Sequence, residues 1–196
     1  MTLPKYVVII GLFLLFIAAV VIRTDSGADS GYLYFNGTSG TNYRYAYQIS
    51  QRSTVSAIDQ KAAWPEGVSV SHSRPLGSEY CIGYSYRLVK FFSEIEERDF
   101  VRLFTKIITS LLVFTLFAVT CTLWRCQAAA LFAACLAAFS RPLLEATNGT
   151  ELLHIQFAAV IISVHLLLIL RMTNSLSWLL ASLAAASSFA VLAVWE

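Results

Sequence analysis

Apolar residues in this chain fall into long unbroken runs, and helical periodicity is confined to the polar region between the first two. The first run is Tyr6 to Ile22, bounded by Lys5 and Arg23. Others span about Ile107 to Trp124, Cys126 to Phe139, Leu152 to Leu170 and Leu176 to Trp195. A helix needs roughly 20 predominantly apolar residues to cross a hydrocarbon core of about 30 Å. The pattern therefore predicts an all-α polytopic membrane protein with about five transmembrane helices. The Cys126 to Phe139 run is short and alanine-rich. At ~1.5 Å per residue it covers only about 20 Å, so it either tilts little against its neighbours or continues past Arg141. The first run also has the basic start and apolar centre of a signal peptide. The residues that follow, AAVVIRTDSG, offer no small-x-small cleavage site, so a retained helix is expected.

Three regions follow: a first helix at 1–22, a large external loop at 23–106, and a four-helix membrane region at 107–196. The loop opens on TDSGADSG, a flexible linker by composition. TNYRYAYQIS predicts a helix capped by Ser39 or Thr41, with Tyr43, Ala46 and Tyr47 on one face. WPEGV reads as a turn in which Pro65 fixes φ and Gly67 permits a positive one, and RPLG at Arg74 to Gly77 reads as another. Cys81, Tyr84, Leu88, Phe91 and Ile95 then recur at spacings of three and four, opposite Lys90, Glu94 and Glu97. That pattern suits an amphipathic helix lying in the headgroup layer. The charged stretch EIEERDFVR leads from it into the second span.

Composition agrees with this class: of 196 residues 57% are hydrophobic and 13% charged, with mean hydropathy +0.65, against about 25% charged in soluble domains. The net charge of +2 and the lack of a basic stripe argue against nucleic acid. Cys81, Cys121, Cys126 and Cys135 match no zinc or disulfide spacing and are expected as small packing residues. With a cytoplasmic amino terminus, the inner loops carry Lys5, Arg125 and Arg171 and no acid, as the positive-inside rule prefers. Residues 23–106 then lie on the extracytoplasmic side, together with NGT sequons at Asn36 and Asn148. The spans contain no acid, which disfavours a transporter or channel.

The order of features resembles the GT-C superfamily of membrane glycosyltransferases, particularly oligosaccharyltransferase catalytic subunits and their archaeal relatives. The matching residues are NYRYAYQI, then Asp59, then WPEG at Trp64 to Gly67 in the first loop. Between the third and fourth spans, SRPLLEATNGTELLHIQFAAVII places Ser140, Arg141 and Glu151 comparably, and the fifth span ends in AVW as a family helix does. The chain departs from the family pattern at Gly40, which stands where an acid precedes the aromatic-basic helix. NGTE is a reduced acidic motif, and the family continues beyond five helices, so the resemblance implies a truncated or degenerate relative.

The resemblance implies a lipid-linked sugar donor and a divalent metal, Mg2+ or Mn2+, at the outer surface, since a hard cation stabilises a leaving phosphate. It makes Asp59 and Glu151 candidate catalytic acids, with Asp25 or Asp29 able to replace the acid missing at Gly40. Glu145 and Glu151 become candidate metal ligands. Arg44, Arg74 and Arg141 are candidate donor-binding residues, since guanidinium pairs bidentately with phosphate oxygens. Tyr43, with Tyr45 and Tyr47, would stack on sugar. Each has a plainer role: Asp59 as a turn cap, the arginines at lipid headgroups, the glutamates solvated, the tyrosines in an interfacial belt. His154 is expected to cap or lie at an interface, and His165 to snorkel toward the cytoplasmic surface. The alternative reading is a non-catalytic subunit of a larger membrane complex, docking on other membrane protein chains through its external loop.

Overall fold

The structure, a computed structural model, describes residues 4–28, 37–62, 66–70, 75–147, 152, 154–175 and 177–194, with backbone alone at 24–28 and 146–147. Arg74, Glu151, Asp29, the Trp64 and Pro65 part of WPEG, and both sequon asparagines lie outside the described residues.

The described chain is mostly helical. Its helices are α1 (Lys5–Ala28), α2 (Gly37–Arg52), α3 (Gly77–Lys90), α4 (Glu97–Ser110), α5 (Leu112–Trp124), α6 (Gln127–Phe139), α7 (Arg141–Thr147), α8 (His154–Asn174) and α9 (Trp178–Val194). Between α2 and α3, β1 (Ile58–Asp59) and β2 (Val68–Ser69) pair antiparallel, with Ile58 opposite Ser69 and Asp59 opposite Val68. This ladder was not foreseen from periodicity, because two residues per strand are too few to show alternation. Gly67 takes the expected positive φ, at 76°.

Lys5–Arg23, Glu97–Trp124 and His154–Asn174 are long and apolar enough to cross a membrane; the apolar helices Gln127–Phe139 and Trp178–Val194 are shorter. The middle one joins α4 to α5 through a tightened turn, in which the Leu111 N–H donates to the Ile108 carbonyl at 3.0 Å. The sequence places the start of that span at Ile107, but the helix begins ten residues earlier, through the charged ERD segment that was expected to lead into it.

One hydrophobic cluster joins α1, α5, α6 and α8 through Val8, Leu12, Ala19, Leu112, Val113, Ala134, Ala137, Ala138 and Val160. Helix α6 shows how it is packed. Ala130, Ala134 and Ala138 are wholly buried, whereas Phe132 and Leu136 are more than half exposed. Small residues let backbones approach closely, which is the main source of helix association in lipid, while large side chains face outward. A second cluster joins α2, α3 and α4 to α8 and α9 through Ala46, Ile82, Tyr86, Phe100, Val101, Leu152, Phe157, Ala158 and Val194.

Several expectations need correction. Helix α1 runs on through Thr24 to Ala28 instead of ending in a flexible linker, because extending a formed helix costs far less than nucleating one. Helix α2 starts at Gly37, so neither Ser39 nor Thr41 caps it. Ser39 is buried within the helix, and the Thr41 hydroxyl donates back to the Gly37 carbonyl at 3.5 Å, as hydroxyls inside helices do. Its buried face holds Ser39, Asn42, Tyr45, Ala46, Ile49 and Ser50, leaving Tyr47 exposed. Helix α3 buries Ser78, Glu79, Ile82, Gly83 and Tyr86, while its apolar stripe of Cys81, Tyr84 and Leu88 stays uncovered. The helix ends at Lys90, so Ile95 belongs to the connection and Glu97 to the first turn of α4. Cys81 and Cys126 are exposed and do not fill packing space.

Candidate functional site

The expected site residues that come together are Arg44 and Asp59, joined by Tyr45. Helix α2 presents Arg44 and Tyr45 side by side toward β1. The Arg44 guanidinium donates to Asp59 Oδ2, and the Tyr45 hydroxyl donates to the same oxygen at 2.9 Å. The Lys61 backbone N–H donates to Oδ1 at 3.0 Å. Asp59 thereby closes the turn after β1 and ties it to α2, with only 8% of its side chain exposed. The Arg44 guanidinium carbon lies 5.4 Å from the Tyr45 ring centroid, within the range of a cation–π contact. Burial, and then the bond to Asp59, raises the Tyr45 phenol above its ordinary pKa.

Beside this clasp runs an open groove of about 510 Å³ lined by Arg44, Tyr47, Gln48, Gln51, Arg52, Ser56 and Lys61. A recess of about 360 Å³ adjoins it at Gln48, Ser56, Ile58, Asp59, Gln60 and Lys61. Three cations (Arg44, Arg52, Lys61) less one carboxylate (Asp59) leave two net positive charges, and amide and hydroxyl groups line the rest. Such a surface attracts a doubly charged anion. Tyr47 gives it one aromatic wall. Tyr43 lies elsewhere, partly buried against the second hydrophobic cluster. Burial pushes its phenol up to about 12, with the nearby charges of Glu97 and Glu96 adding to the effect.

Arg141 and Glu145 are placed on α7, which packs on α1, α4 and α6. Arg141 Nε donates to Glu145 Oε1 at 2.8 Å in an exposed i,i+4 pair. Glu145 thus gives its carboxylate to an arginine. Among the described residues no three His, Cys, Asp or Glu side chains are grouped to hold a metal ion.

Two deeply buried polar residues, Ser78 and Glu79, carry no signal of a site in the sequence. Glu79 is fully buried, with Ser78 and His154 beside it. Ser78 Oγ lies 2.8 Å from Glu79 Oε2 and 2.9 Å from His154 Nδ1, and His154 Nε2 lies 3.5 Å from Glu79 Oε1. A proton on Nδ1 lets the bonds run from His154 through Ser78 to Glu79, so His154 ties α8 to α3 instead of capping its own helix. Ser50 Oγ lies 2.9 Å from Glu97 Oε2, and Asn42 Nδ2 donates to the Leu152 carbonyl at 2.8 Å. His165, expected to snorkel, sits 2.8 Å from Ser187 Oγ and links α8 to α9. Each depends on contacts between elements distant in sequence. The one local signal was Glu79 in the first turn of α3, where an acid suits the helix dipole. No protein-family model matches this chain, and no curated protein is significantly similar to it.

Proposed function

We propose that the chain is an oligosaccharyltransferase-like GT-C membrane protein that binds the pyrophosphate of a lipid-linked glycan in the groove between α2 and the β1 turn. The observation carrying this reading is the groove's net positive charge, contributed by Arg44, Arg52 and Lys61 around polar walls. In this reading five helices span the membrane, with α6 and α9 as the short members, the amino terminus in the cytoplasm and residues 23–106 outside. The cationic groove would then open on the outer side, where a lipid-linked donor can present its phosphates.

The residues have separate roles. Arg52 and Lys61 meet the phosphate oxygens, and Tyr47 offers a face to the first sugar. Arg44 is held by Asp59 and adds charge from a fixed position. Asp59 is a positioning residue here, since its carboxylate oxygens are already engaged by Arg44, Tyr45 and the Lys61 N–H. The proposed role is binding of the donor alone, with no transfer step assigned.

The test is binding of a polyprenyl-pyrophosphate glycan to the purified chain in detergent. Arg52→Gln with Lys61→Gln should weaken binding roughly tenfold or more, in line with charge-assisted contacts of about 1.5–3 kcal/mol, and binding should fall with salt. Binding unchanged by the double substitution would sink the proposal.

A further inference from the structure

The outward stripe of α3 ends in two phenylalanines with nothing over them. Phe91 and Phe92 are each 84% exposed, and Leu88 just before them is 63% exposed. Large apolar side chains grouped this way mark an interaction surface. Beside them a notch of about 290 Å³ is lined by Ser50, Arg87, Lys90 and Phe91. Its two cations make no ion pair among the described residues. Arg87 donates to the Ser53 hydroxyl, and Lys90 Nζ lies 6.0 Å from the Tyr86 ring centroid. From α4, the Glu97 carboxylate faces this side, accepts from the Ser50 hydroxyl and lies within electrostatic reach of Lys90, so two cations less one carboxylate leave the notch one net positive charge. The notch thus pairs positive charge with an exposed aromatic edge, six residues before the long apolar helix that begins at Glu97.

We propose that this notch seats the phosphate of an anionic membrane phospholipid, with its acyl chains running over Phe91 and Phe92. Charge complementarity selects the headgroup and the aromatic edge selects the chains, as at other interfacial basic-aromatic sites. The bound lipid holds α3, and with it α2, at a fixed height on the membrane. The inference rests on the chain lying in a membrane but uses none of the groove residues Arg44, Arg52 or Lys61.

Two measurements on the full chain in phosphatidylcholine–phosphatidylglycerol vesicles test it. Benzoylphenylalanine in place of Phe92 should give, on illumination, a covalent adduct of one phospholipid mass. No lipid adduct, or an adduct to a second protein chain, overturns the proposal. Separately, Arg87→Gln with Lys90→Gln should reduce phosphatidylglycerol retained by the purified protein roughly tenfold, whereas Arg52→Gln with Lys61→Gln should leave it unchanged. Equal retention of phosphatidylcholine, or displacement of the lipid by inorganic phosphate alone, also overturns it. Both surfaces are exposed, and the cross-linking arm keeps Arg87 and Lys90 intact.

Discussion

Gly83 of α3 meets Ile49 of α2 so closely that a Cβ on Gly83 would lie 2.8 Å from Ile49 Cγ2 and 3.0 Å from the Ala46 carbonyl oxygen. The missing Cβ lets α2 and α3 approach closely, with Gly83 of one helix against Ala46 and Ile49 of the other. Gly83→Ala should separate the pair and cost about 1–3 kcal/mol, the usual range for overpacking. Gly11→Ala, where a Cβ meets nothing within 4 Å, is the control and should leave stability unchanged or slightly raised. Thermal denaturation of the two variants in one detergent checks this.

Asp59 separates a structural acid from a catalytic one. Asp59→Asn keeps the shape and removes the charge that restrains Arg44, so stability should fall by about 1–3 kcal/mol. The groove becomes more positive, so pyrophosphate binding should hold or tighten. A melting curve and a binding isotherm on the same sample read both effects, and lost binding with unchanged stability would assign Asp59 to the ligand instead.

The chain of bonds from His154 through Ser78 to Glu79 is buried, so breaking it leaves polar groups without water. Ser78→Ala should cost about 1–3 kcal/mol and loosen α3 from α8. Hydrogen exchange should show faster exchange at the start of α3, with α5 and α6 unaffected. Equal protection throughout would show that the cluster bears no load.

Alkaline pH should weaken the fold through its tyrosines. Tyr43 is raised to about 12 from an ordinary 10.0, and Tyr45 and Tyr86 shift the same way through burial. A phenol that holds its proton more tightly when folded gives its full contribution below the unfolded value. That contribution is lost as pH rises through the folded one. Stability should therefore decline between pH 10 and about 12, and Tyr43→Phe should flatten part of that decline. Tyrosinate absorbance should show one fewer late-titrating phenol in that variant.

Within the bundle, Ser163 Oγ donates to Thr115 Oγ1 at 2.8 Å, and His165 joins Ser187. Hydrogen bonds between membrane helices average about 0.6 kcal/mol. Ser163→Ala and Ser187→Ala should each have an effect of that size, measurable by double-mutant cycles with Thr115→Val and His165→Leu.

The apolar runs alone located the long helices, because length and hydropathy are local properties that need no partner. YRYAYQIS was legible as a helix for the same reason, as was the positive φ at Gly67. What the sequence could not decide was which face of a mixed helix is buried. Of the expected face, Ala46 is buried and Tyr43 packs against the second cluster, but Tyr45 and Ile49 take the inner positions and Tyr47 is left exposed. The pairing of Arg44 with Asp59, fifteen residues on, needed the β1 turn to bring the acid back. The burial of Glu79 required His154, 75 residues away, because a carboxylate goes inside only where hydrogen-bonding partners replace its water. Hydrophobic patterning set the elements; close approach between backbones and the satisfaction of buried polar groups set their faces and assembled the site.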